Sequence, residues 1–180
     1  MEFSKSNRPQ PSKQLIFLIG FMGSGKSTLG KKVAQKTGYH FIDLDELIVR
    51  KTDMSISNYF ETFGEASFRE LERKILHSLQ DTTNTIIATG GGTPCYFDNM
   101  DWMNQHGKTI YLKMSPKALL SRLSQKEIEK RPLLNGKSAE QLLDFITTKL
   151  EERTSFYNRA NILYDGIQSN PKDLIKQIVL

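Results

Sequence analysis

Residues 15–27, LIFLIGFMGSGKS, join an unbroken apolar run to a glycine-rich turn ending in Gly-Lys-Ser, and no other stretch limits the possible folds as tightly. Continuous apolar residues without alternation are the pattern of a strand buried on both faces, at home inside a parallel sheet with helices above and below. Residues 20–27 satisfy G-x-x-x-x-G-K-[ST] and stand where that pattern has physical meaning, after a strand and at the head of a helical stretch over 26–36. Gly20, Gly23 and Gly25 let the backbone curl until its N–H groups face a chain of phosphates, and the helix N-terminus adds its positive end. The expected contacts to the nucleotide, ATP or GTP, are Gly23, Ser24, Gly25, Lys26, Ser27 and Thr28. Lys26 would reach the β- and γ-phosphates, and the Ser27 hydroxyl would ligate Mg2+.

Further strands are expected at 39–43, 84–89, 108–114 and 161–165, with helical patterns at 45–52, 55–80, 95–105, 115–124, 138–158 and 171–179. Strands separated by helices imply parallel pairing and right-handed crossovers. The expected fold is therefore α/β, three layers with about five parallel strands and helices on both faces. A chain of 180 residues suits one domain, here 15–180, behind a loose polar tail over 1–14. Residues 124–137, SQKEIEKRPLLNGK, are charged and break the alternation, which reads as a mobile loop.

Composition narrows the function classes. No apolar run reaches the ~20 residues of a membrane span, and the first residues lack the apolar centre of a secretory signal, so a cytoplasmic protein without a membrane partner is expected. Cys95 is the only cysteine and reads as a packing residue; His40, His77 and His106 are scattered. A net charge of +5 suits an anionic ligand, but the basic residues are too dispersed to argue for nucleic acid.

What receives the phosphate is a separate question. A GTPase needs a base-reading N-K-x-D element, and none is present. Asp43 closes its strand at the edge where open α/β sheets bind ligands, so it can face the Mg2+ on Ser27. Asp45, two residues on, points the same way if the chain stays extended and would then orient or deprotonate an acceptor hydroxyl; its other reading is a helix N-cap. Arg69 lies beside the stripe Phe68, Leu71, Ile75 and Leu79, with Glu65 and Glu72 four and three residues away, either as a solvated salt-bridge cluster or as an anion grip. Ser138 and Gln141 form a capping box, and the buried stripe Leu142, Ile146, Leu150 continues to Arg153 and Tyr157. An arginine on an inward face needs an anion or must snorkel out. Two such forks suit a carboxylate. Residues 86–94, IIATGGGTP, set three glycines after a strand at the same sheet edge, as a turn or as a pocket floor.

In their order and intervals, GFMGSGKSTLG, FIDLDELI, SNYFETFGEASFRELE, ATGGG, RPLL and ERTSFYNRA resemble shikimate kinase, over about residues 15–179. The resemblance implies Mg2+-dependent transfer of the ATP γ-phosphoryl group to the 3-hydroxyl of shikimate, in aromatic amino-acid biosynthesis, by a monomer. It implies shikimate contacts from Asp45, Phe60, Phe68, Arg69, Gly90, Gly91, Gly92 and Arg153, within a substrate-binding region at about 45–80. Arg131 of RPLL would lie on a lid at about 124–137 and approach the transferred phosphate, making Lys26, Asp45 and Arg131 the catalytic set. Arg122 resembles the arginine that stacks on adenine, and Asn170 and Pro171 resemble the loop on its other side. Two alternatives stay open: a kinase for another small hydroxy acid such as gluconate, and a catalytically silent nucleotide-binding module.

Overall fold

The computed structural model describes residues 14–124, 128, 134–168 and 170–179. Five strands, β1 (Leu15–Ile19), β2 (His40–Asp43), β3 (Thr85–Ala88), β4 (Gly107–Lys113) and β5 (Ile162–Asp165), form one sheet in the order β2-β3-β1-β4-β5. Every pairing is parallel, with Phe17 opposite Ile87 on one side of β1 and Thr109 on the other. β1 is buried along its whole length, as its unbroken apolar run predicts.

Alternation along the strands divides the core in two. Leu15, Phe17, Ile19, Ile87 and Tyr111 face one layer; Ile16, Leu18, Ile86, Ile110 and Leu112 face the other. The second layer is closed by α1 (Lys26–Thr37), through Leu29 and Val33, and by α7 (Pro171–Val179), through Leu174 and Ile178. The first takes α2 (Leu44–Thr52), α3 (Ile56–His77), α4 (Asn99–His106), α5 (Pro116–Arg122) and α6 (Ala139–Tyr157). Among the described residues no helix is long and apolar enough to cross a membrane.

Three expectations need correction. The helix expected over 55–80 is broken at Gly64, whose φ of 78° and ψ of 168° leave the helical region, and it ends at His77. The apolar stripe of Phe68, Leu71, Ile75 and Leu79 lies after this kink and carries no sign of it. The helix expected from residue 95 begins only at Asn99, because a 3-10 turn at Thr93–Cys95 and Phe97 at a φ of 52° intervene. Asp45 is not extended: Asp43 caps α2, its Oδ1 accepting the N–H groups of Asp45 and Glu46 at 3.1 and 3.3 Å, and the chain turns helical at Leu44. The cap itself therefore belongs to Asp43, two residues earlier than the alternative reading placed it. By contrast, the capping box of Ser138 and Gln141 starts α6 as its spacing predicts.

Candidate active site

β1 delivers the chain into a loop over 20–25 in which Gly20, Gly23 and Gly25 have φ of 140°, 76° and 91°, values that a side chain would strain. The Lys26 ammonium is buried and donates to the carbonyls of Gly20 and Phe21 at 2.8 and 2.9 Å. The Ser24 hydroxyl is buried without a hydrogen-bond partner among the described residues, and Thr28 is exposed on the first turn of α1. A loop of this shape, with an orphaned hydroxyl and a buried cation, is built to receive an anion.

Ser27 and Asp43 meet at the mouth of that loop, the Ser27 hydroxyl donating to Asp43 Oδ2 at 2.5 Å. One carboxylate thus starts α2 with one oxygen and engages the phosphate-loop serine with the other. Hard oxygen donors beside a phosphate loop fit Mg2+, which keeps most of its shell as water and substrate phosphate and takes only one or two protein ligands.

Gly90, Gly91 and Gly92 follow β3, and the space their missing side chains leave is filled by charged groups of the protein itself. A Cβ on Gly90 would stand 2.9 Å from both Asp45 Oδ1 and Glu72 Oε1. On Gly91 it would stand 3.3 Å from Arg153 Nη1, and on Gly92 2.8 Å from both terminal nitrogens of Arg69. Gly91 also borders the phosphate loop, 3.4 Å from the Met22 nitrogen by the same measure. Asp45, Arg69 and Arg153, drawn from three different helices, are therefore brought together against three consecutive glycines beside the phosphate loop.

Arg69 is 9% exposed, which rules out the solvated-cluster reading. Its Nη1 donates to Glu72 Oε2 at 3.0 Å, and its Nε and Nη2 donate to Glu65 Oε1 at 3.3 and 3.0 Å. Burial opposes charge on this guanidinium, but Glu72 and Glu65 outweigh it and hold the group protonated. Burial pushes the Glu72 carboxyl up against the pull of Arg69 and of the Thr93 hydroxyl, which donates at 2.6 Å. Phe60 and Phe68 pack at a tilt, 4.5 Å between centroids, with Arg69 over both rings. Arg153 lies over the Phe21 ring, its Cζ 5.3 Å from the centroid.

Sequence reasoning missed Tyr96, which stacks under Arg69 and hydrogen-bonds Glu65, and Thr93, which holds Glu72. Thr93 follows the glycines directly and Tyr96 stands four residues past Gly92, and the only available signal was that position. Cys95 sits among these groups, its thiol pushed up to about 11 by burial, which suits the packing role expected of it.

Among the residues expected near the nucleotide, Arg122 Nη1 donates to the Ser24 carbonyl at 3.4 Å, so α5 ends against the phosphate loop. Asn170 accepts the Tyr164 hydroxyl on its carbonyl at 2.9 Å and precedes Pro171 at the head of α7. Arg131 and most of the expected lid over 124–137 lie outside the described residues, as does residue 169 of the loop expected near adenine.

A family model described as shikimate kinase matches residues 22–180. A shikimate kinase of Bacteroides fragilis is 48% identical over 149 residues, 83% of each chain. One from Bacteroides thetaiotaomicron is 45% identical over 151 residues, 84% of this chain and 86% of the relative. A crystal structure of shikimate kinase from Bacteroides thetaiotaomicron superposes with a TM-score of 0.86 at 39% identity, covering 93% of this chain and 99% of that one. The shikimate kinase of Acinetobacter baumannii in complex with shikimate gives a TM-score of 0.81 at 32% identity, covering 94% and 92%.

Proposed function

The chain belongs to the shikimate kinase family, and from that premise we propose how its own residues carry the reaction. The enzyme transfers the γ-phosphoryl group of ATP to shikimate, giving shikimate 3-phosphate and ADP. One observation above all supports an acceptor site at the glycines: Asp45, Arg69 and Arg153 converge on residues 90–92, directly beside the phosphate loop.

In this reading the N–H groups of Gly23, Ser24 and Gly25 and the Lys26 ammonium hold the triphosphate, and Lys26 leaves its carbonyl partners to neutralise charge on the transferred group. Ser27 and Asp43 would hold Mg2+, which when bound would supply positive charge against the triphosphate. Arg69 and Arg153 take the shikimate carboxylate, a match of planar forks to a planar anion. Asp45 accepts the ring hydroxyl that attacks, orienting it and taking its proton as the new P–O bond forms. Phosphoryl transfer passes through a loose transition state, so most of the rate comes from alignment and charge neutralisation, with less demanded of the base. Phe60 and Phe68 shield the ring. The same reading makes the enzyme a cytoplasmic monomer.

A coupled assay of ADP release with ATP, Mg2+ and a panel of acceptors tests the proposal. Release that depends on shikimate is expected. Release driven by gluconate but not shikimate, or ATP binding with no acceptor-dependent release, overturns it.

A further inference from the structure

An arginine offers five N–H donors in one plane. Glu65 and Glu72 engage Arg69 through Nε, Nη1 and Nη2, all along the edges of its guanidinium. Edge contacts set the reach of the group but do little to stop it rocking out of its plane. The guanidinium lies over the Tyr96 ring, whose centroid is 4.2 Å from Arg69 Cζ, nearer than the rings of Phe68 at 5.3 Å and Phe60 at 5.7 Å.

Tyr96 grips the cation a second time through Glu65. Its hydroxyl donates at 2.8 Å to Glu65 Oε1, the oxygen that also takes Arg69 Nε and Nη2. The Glu65 side chain is 54% exposed, so without that bond it has other rotamers to adopt. Gly92, four residues before Tyr96, closes on the tips of the guanidinium. One loop thus carries both the surface that Arg69 lies on and the gap that it fills.

We propose that Tyr96 is a positioning residue for the acceptor, fixing the plane of the Arg69 guanidinium so that its remaining N–H groups meet the carboxylate of the substrate in one orientation. This rests on the assignment of Arg69 to the shikimate carboxylate. Tyr96 acts through Arg69 and takes no part in the chemical step.

Steady-state kinetics on Tyr96→Ala, Tyr96→Phe, Arg69→Ala and the double variant Arg69→Ala/Tyr96→Ala test it. Tyr96→Ala is expected to raise KM for shikimate about five- to thirtyfold, with kcat within about threefold and KM for ATP unchanged. Tyr96→Phe, which keeps the ring and loses the hydroxyl, is expected to raise it about two- to fivefold. In the Arg69→Ala background the effect of Tyr96→Ala should vanish, since the cation it positions is gone. An effect of the same size in that background, or a rise in KM for ATP to match, makes Tyr96 a structural residue only and overturns the proposal. If Tyr96→Ala does not fold, Tyr96→Phe with and without Arg69→Ala decides by the same comparison, and an unchanged KM counts against it. A wild-type protein inactive with shikimate overturns the function itself; an active wild type indistinguishable from both tyrosine variants overturns only the role of Tyr96.

Discussion

The Tyr157 hydroxyl donates to the Gly91 carbonyl at 2.5 Å, tying the end of α6 to the middle of the glycine run. Tyr157 is fully buried, and burial pushes its hydroxyl far above the usual phenol range, so it stays a donor at any working pH. Arg153 lies one turn earlier on the same helix, beside the same glycine. Tyr157→Phe should leave the carbonyl unpaired, cost about 1–3 kcal/mol of stability, and raise KM for shikimate more than KM for ATP. Denaturant melts and a two-substrate kinetic matrix measure both. A variant as stable as wild type with unchanged kinetics would show that the bond holds nothing in place.

Gly92→Ala and Gly91→Ala should differ in degree. A Cβ at residue 92 meets both terminal nitrogens of Arg69 at 2.8 Å, whereas one at residue 91 meets Arg153 Nη1 at 3.3 Å. The first must displace a guanidinium held by two carboxylates; the second asks a few tenths of an ångström. Gly92→Ala is expected to raise KM for shikimate about tenfold or more, Gly91→Ala less, and neither should change ATP binding. Isothermal titration with each substrate reads this order, and a larger loss for ATP than for shikimate would move the glycines to the nucleotide side.

These glycines show where sequence reading succeeds and where it stops. Their place at the C-terminal edge of the sheet is legible, because the apolar run before them reads as a strand. What fills the space is not legible, because Asp45, Arg69 and Arg153 come from distant helices and only the fold assembles them. The clamp of Glu65 and Glu72 on Arg69 follows from helical spacing, a local property, but its burial does not. Asp45 shows a subtler failure: two acidic residues two apart offer two possible caps, and the contact with Ser27, a residue of another element, accompanies the choice of Asp43.

Asp43 has two separable duties, so two substitutions should behave differently. Asp43→Asn retains an oxygen for the N-cap of α2 but loses the charge facing Ser27; stability should fall by less than ~1 kcal/mol, while the Mg2+ concentration for half-maximal rate rises about tenfold. Asp43→Ala loses the cap as well and should cost a further ~1 kcal/mol. Mg2+ titrations of initial rate, beside thermal melts, separate the two. Equal Mg2+ dependence in Asp43→Asn and wild type would remove Asp43 from the metal site.

Arg153 stands over Phe21 of the phosphate loop and against Gly91. Arg153→Ala should weaken shikimate binding by ~2–5 kcal/mol, the cost of stranding one partner of a buried charge pair. Arg153→Lys should recover only part of it, since an ammonium cannot present a fork. Shikimate KM is the readout, and an unchanged value in Arg153→Ala refutes the carboxylate contact.

His77 stacks on Trp102 at 4.4 Å between centroids, His106 stacks on the same indole at 4.3 Å, and the His77 ring Nε2 is buried without a partner among the described residues. Burial depresses its pKa below the ordinary histidine value, with Arg73 and His106 adding to the effect and Asp98 opposing it. The unfolded chain, with a histidine pKa near ~6.5, therefore binds a proton that the folded state refuses. The stability that His77 contributes is complete above about pH 6.5 and is lost as pH falls through that value toward the folded pKa. His77→Phe keeps an aromatic ring against Trp102 and removes the titration, so its stability should fall less than that of wild type between pH 7 and pH 5. Urea melts across that interval measure the difference, and parallel pH profiles for the two proteins would sink the assignment.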